Sequence, residues 1–156
     1  MSKQTLETLY AAFQRLDGPA MQACYAPDAQ FDDEAFSLRG RDEIGAMWTM
    51  LCEVTQAKGR DVWQLDYGVT DKSSHWEAHY RFSATGRLVH NIIDGEFEFD
   101  AQGLITRHRD RFDFWRWSRQ ALATPGLLLG WSPWLRNKVR AQAANSLAAW
   151  RAKHAA

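Results

Sequence analysis

The sequence predicts an α+β domain: three helices, an antiparallel sheet on one face of which they pack, and a basic helical tail. Three observations carry this. The apolar residues recur with a helical period up to Gly59 and then alternate with a period of 2. The alternating segments are separated by short turn-forming stretches, DKSS, ATGR and DAQG, as hairpins require. The charge is split along the chain. Residues 1–113 hold all 19 acidic and 12 of the 19 basic residues, and residues 114–156 hold the other seven basic residues and no acid.

The elements follow in order. Leu6, Leu9, Tyr10, Phe13 and Leu16 make one apolar face of a helix over 3–16, with Ser2 placed to cap it. Gly18-Pro19 breaks this helix. A short second helix turns Met21, Cys24 and Tyr25 inward and ends at Pro27, and AQFDD reads as a short strand. Gly40, Asp42 and Glu43 open a third helix, with Ile44, Met47, Trp48, Leu51 and Val54 on one side. Strands are expected over 62–70, 75–83, 89–99 and 104–115. Ser118–Thr124 reads as a helical turn ended by Pro125-Gly126, and 134–154 as an amphipathic helix with Leu135, Val139, Ala143, Leu147 and Trp150 on one stripe.

Strand parity assigns RHRDRFDFWRW, which by composition resembles a nucleic-acid tag. Arg107, Arg109 and Arg111 share one face and meet Asp94, Glu96 and Glu98 of the preceding strand. The opposite, inward face carries His108, Asp110, Phe112 and Phe114. No nucleic acid is needed to explain the arginines.

Composition sets bounds on function. With 46% hydrophobic and 24% charged residues the chain reads as soluble and globular. MSKQTLETLY has no apolar signal region, and GLLLGWSPWL is too short to span a bilayer, so a cytoplasmic protein is expected. Cys24 and Cys52 fall in apolar-periodic segments and read as reduced core thiols. No phosphate loop, dinucleotide fingerprint, nucleophile elbow or zinc motif is present, so no cofactor is expected. His75, His79 and His90 share the outward face, but without carboxylates at clear ligand spacing no metal site is expected.

The start Tyr10, Phe13, Asp17, followed by MQACYAPDAQFDD, RGRDEIGAMW and FEFDAQGLITRHRD, resembles the nuclear transport factor 2-like superfamily, in its SnoaL-like and ketosteroid-isomerase-like branch. The resemblance covers roughly residues 5–115. It implies a cone-shaped, cystatin-like fold, with a curved antiparallel sheet, helices on its concave face and an enclosed pocket. Residues 1–117 would form the SnoaL-like domain and 118–156 a basic helical extension of it. By the same resemblance Asp33 matches the general-base aspartate of ketosteroid isomerases, an enzyme used as a standard example of such a base. Gly95 falls where their oxyanion-hole acid would be, and the tyrosine position falls near Leu9, one residue from Tyr10. Asp110 matches an acid on the last strand of related cyclases and epoxide hydrolases. The resemblance also implies a homodimer.

Several candidate site residues follow. His108 and Asp110 lie two apart on one strand and reach the same pocket, as an acid–base pair or as a bonded structural pair. Asp33 is a base or a turn carboxylate. Asn91 is a donor to a substrate oxygen or a bonded core amide. Tyr10, Trp48, Trp63, Tyr67, Trp76, Tyr80 and Phe112 are expected to line the walls, suiting a flat apolar ligand with oxygen groups. The expected function is a cofactor-independent isomerase, cyclase, dehydratase or hydrolase on a small hydrophobic oxygenated molecule. The alternative is a non-catalytic binding or dimerisation module. The tail is expected to pack on protein, as a lid or against a partner, rather than on lipid.

Overall fold

The computed structural model describes residues 1–155. Two helices, α1 (Ser2–Gln14) and α2 (Gly18–Gln22), lead into strand β1 (Tyr25–Asp32) and the three-residue β2 (Ser37–Arg39). Helix α3 (Arg41–Lys58) follows, then β3 (Gln64–Val69), β4 (Ser73–Arg81), β5 (Leu88–Phe99) and β6 (Ile105–Arg111). The tail forms α4 (Phe114–Leu122), α5 (Thr124–Leu129) and α6 (Pro133–His154). The strands make one curved sheet in the order β2-β1-β6-β5-β4-β3, and α1 and α3 bury their apolar faces against its concave side. This is the α+β cone expected.

The hairpin register is the one strand parity demands. Asp94 pairs with Arg111, Glu96 with Arg109 and Glu98 with Arg107. A slip of one residue would move all these charges into the core, so burial of the other face fixes the register. That other face supplies Ser74, Trp76 and Ala78 from β4, Asn91, Ile93, Gly95 and Phe97 from β5, and His108 and Asp110 from β6, all buried.

Five local expectations are corrected. The structure has six strands rather than four hairpin strands and one short one, because β2 pairs with β1 and β1 lies parallel to β6. Tyr25 begins β1 instead of ending a helix, and Pro27 sits inside that strand. It is tolerated because the pairing of β1 with β6 skips from Tyr25 to Gln30, so no ladder needs its missing N–H. The last strand stops at Arg111. Asp113 caps α4 by accepting from the Arg116 amide at 3.0 Å, so Phe114 packs from a helix. Pro125 starts α5 rather than ending a turn, since its fixed φ and missing N–H suit a first turn. Ser2 makes no cap; α1 begins at it, with Met1 in the capping position.

The tail closes over the cone. Phe114, Trp117 and Ala121 of α4 and Leu135 of α6 form a second buried cluster with Val89. Farther along α6, Leu147 joins the main core, with Ala143 and Trp150 packed beside it. Tail cations meet acids of the body: Arg136 with Glu34 at 3.6 Å, Arg151 with Glu43 at 3.5 Å and His154 with Glu53 at 3.5 Å. Among the described residues, no helix is long and apolar enough to cross a membrane.

Candidate functional site

The concave face gathers polar side chains into one chain of hydrogen bonds. Trp48 Nε1 of α3 donates to the Tyr25 hydroxyl at 3.0 Å. That hydroxyl lies 2.8 Å from His108 Nδ1, and His108 Nε2 lies 2.7 Å from Asp110 Oδ1. The direction follows from counting donors. A neutral imidazole has one N–H: with Nε2–H donated to the Asp110 carboxylate, Nδ1 accepts the Tyr25 hydroxyl proton while Tyr25 accepts from Trp48. Each member fixes the next, and the chain ends on a carboxylate. His108 is 1% exposed and Asp110 3%. The imidazole is boxed by Phe97, Phe31, Tyr25 and Trp48, with ring centroids 4.1 to 6.3 Å away.

A second group approaches Asp110 from α1 and β4. The Tyr10 hydroxyl lies 2.8 Å from Ser74 Oγ, and burial raises the Tyr10 pKa well above its usual value, with the Asp110 charge adding to the rise. Burial does the same to Tyr25. Both tyrosines therefore stay protonated and available as donors. Gly95 makes the space. A Cβ there would lie 2.5 Å from Ser74 Oγ and 2.8 Å from Asp110 Oδ1, so the carboxylate fits only against a glycine.

Asp33 follows the end of β1, in the turn to β2. Its Oδ1 accepts from the amides of Ala35 at 2.7 Å and Phe36 at 2.6 Å, and Arg140 of α6 donates to the carbonyls of Asp33 and Glu34 at 3.2 and 3.1 Å. Burial pushes the carboxyl up to about 7. The two amides and Arg140 oppose the rise, and the Asp110 charge adds to it. Asp33 is thus a turn carboxylate through one oxygen and a group poised near neutrality as a whole.

The other expected residues divide. Asn91 is buried on the inner face of β5, and with Phe112 it edges a depression of about 380 Å³ that Ile92, Asp94, Arg111, Asp113 and Arg116 complete. The Tyr80 hydroxyl accepts from Trp117 Nε1 at 2.7 Å and is pushed up to about 12 by burial. Trp76 is buried on the same face, and its Nε1 has no partner among the described residues. Trp63 and Tyr67 lie apart, on the β3 edge: Trp63 donates to the Gln14 carbonyl at 3.0 Å, and Tyr67 stacks on Tyr10. Sequence reasoning missed Tyr25, Ser74, Trp117 and Arg140. A buried tyrosine hydroxyl needs a partner, and that requirement was the available signal for Tyr25. On the outer face His75 is held by Asp94 at 2.8 Å, and His90 by Glu77 at 2.8 Å.

Comparison with known structures supports the same architecture. An LEH-like epoxide hydrolase of M. tuberculosis matches with TM-score 0.59 and 20% identity, over 81% of this chain and 92% of that one. A putative polyketide cyclase of Xanthomonas campestris pv. campestris matches with TM-score 0.55 and 21% identity, over 77% and 98%. A Catenulispora acidiphila protein with a ketosteroid isomerase-like fold, solved in complex with trimethylamine, matches with TM-score 0.58 and 16% identity, over 85% and 100%. At these identities the likeness concerns the fold. The comparison with curated proteins found no match. A family model for the SnoaL-like domain matches residues 6–108, from the second turn of α1 to the histidine at the centre of the network, and the chain belongs to that family.

Proposed function

We propose that the chain is a cofactor-independent enzyme that moves a proton on a small apolar molecule bearing oxygen, as an isomerase, cyclase, dehydratase or hydrolase. The observation that supports this best is the bonded run Trp48–Tyr25–His108–Asp110, which ends on a buried carboxylate whose charge also raises the Asp33 pKa. Building and burying such a run is costly unless every member is satisfied, and here it is satisfied up to Asp110. Asp110 makes this one side-chain hydrogen bond among the described residues, which leaves Oδ2 for a ligand. Asp33 titrates near neutral pH, where a group exchanges protons most effectively in either direction. Asp110 and Asp33 are the acid–base pair in this reading. His108, with both ring nitrogens engaged, positions Asp110 instead of meeting substrate. Tyr10 and Asn91 are the donors nearest an oxygen of the ligand.

One feature favours the binding-module reading instead. His108 and Asp110 have almost no contact with solvent, and Leu147 of α6 is packed into the same core as Tyr25 and Trp48. Turnover would therefore require the tail to move, with the Arg140 contacts to Asp33 and Glu34 as the catch. The experiment is a screen of apolar epoxides, enones and β-dicarbonyl compounds by product formation and by thermal shift. Turnover supports the enzyme; a thermal shift with unchanged compound supports the module. Conjugation of a 3-keto-Δ5 steroid is not expected at an enzymatic rate. Gly95 stands where the oxyanion-hole acid would be, and the space around it is taken by Ser74 and Asp110. A rise in enone absorbance would contradict this.

A further inference from the structure

Helix α5 is built inside out. Gly126 and Gly130, one turn apart, face α4 and meet Ser118 so closely that a Cβ at either position would collide with it. The glycine side is therefore the packed side, and the leucines between are turned outward. Leu127, Leu128 and Leu129 are exposed, as are Trp131 at 72% and Trp134 at 59%. These five residues are contiguous in the chain apart from Gly130, Ser132 and Pro133, and they form the largest exposed apolar group among the described residues. Soluble surfaces rarely leave such groups uncovered.

The polar groups beneath this surface are already satisfied. Trp131 Nε1 donates to the Leu128 carbonyl at 2.9 Å, Trp115 Nε1 donates to the Leu127 carbonyl at 3.3 Å, and Ser132 Oγ donates to the Leu129 carbonyl at 2.6 Å. The orphan carbonyls at the end of α5 thus need no water. The rim is cationic: Lys138 lies over the Trp134 ring at 5.3 Å and Arg119 over the Trp115 ring at 4.1 Å. No acid lies anywhere in residues 114–156. A second copy seated on this patch by two-fold symmetry would set Arg119 and Lys138 against themselves with no acid between. Leucine and tryptophan with a basic rim instead match an anionic lipid surface, where indoles sit at the headgroup level and cations meet phosphate.

We propose that α5 and the α5–α6 turn dock the protein on anionic membrane surfaces. The stripe of α6 is not involved, since Leu135 and Leu147 are buried in the protein's own body. The reading is independent of the chemistry of the cone. The test is co-sedimentation of the full chain with phosphatidylcholine vesicles, with and without phosphatidylglycerol, alongside sedimentation velocity without lipid. The exposed pair Leu128→Glu and Trp131→Glu buries no charge, and circular dichroism checks its fold. The expected result is binding to the phosphatidylglycerol vesicles that weakens as salt is raised and falls by at least about tenfold in the double variant. A parent chain that ignores both kinds of vesicle overturns the proposal. So does a lipid-free dimer that the same two substitutions return to a monomer, which would make the patch a contact between copies.

Discussion

Asp110 and Asp33 are held differently, Asp110 by His108 and Asp33 by two backbone amides, and substitution separates their roles. Asp110→Asn keeps an oxygen to accept from His108 Nε2 and keeps the volume that Gly95 leaves. It should therefore cost little stability, while turnover falls by ~10²–10⁴-fold if the carboxylate transfers the proton. Tyr25→Phe should behave in the opposite way. It leaves Trp48 Nε1 and His108 Nδ1 without partners and should cost about 1–3 kcal/mol in a denaturant titration. Asp33 predicts a pH dependence. Its folded pKa, about 7, lies above the usual aspartate value of 3.8. The native state then holds the proton more tightly than the unfolded chain, so the contribution of Asp33 to stability falls as pH rises between these values. Asp33→Asn should flatten that fall and raise the melting temperature at pH 8, while below pH 4 the two proteins should melt alike. A wild-type melting temperature that rises steadily across this window, with no difference from the variant, would place Asp33 in water.

At the scale of elements, the hairpin strands were legible because one face of each is buried and the other is charged. The same parity put His108 and Asp110 indoors and the arginines outdoors. Where parity could not help, the reading failed for physical reasons. β2 is three residues long and carries no period of its own. The parallel pairing of β1 with β6 is a contact across the whole chain, which no local pattern records. Arg111 to Phe114 alternates like a strand, and only the cap formed by Asp113 converts it to a helix start. The network partners were hidden for the same reason: Tyr25 reaches His108 only through that parallel pairing. Between α4 and α5, Ala123 sits at φ 60 and ψ −123, a conformation of the first central position of a type II′ turn, where glycine is favoured. Ala123→Gly should raise stability by ~1 kcal/mol. The measurement is the denaturant midpoint at unchanged slope.

For the whole molecule, the split in charge is a packing instruction. The acidic body and the acid-free tail meet through Arg136, Arg151 and His154, and Arg140 reaches two backbone carbonyls. Each exposed ion pair contributes little, so the apolar contacts of Leu135 and Leu147 must hold most of the closure. Removing residues 126–156 should expose the core around Phe114 and Trp48, and light scattering should show aggregation or a changed mass. The central claim is that the buried network exists for a ligand and not only for the fold. The most direct test compares parent and Asp110→Asn for turnover across the panel of epoxides, enones and β-dicarbonyls, with melting temperatures recorded on the same samples. The expected result is a parent that converts at least one compound and a variant that melts alike but converts it ~10²–10⁴-fold more slowly. A variant that turns over as fast as the parent, or one that melts far below a parent that converts nothing, would contradict it.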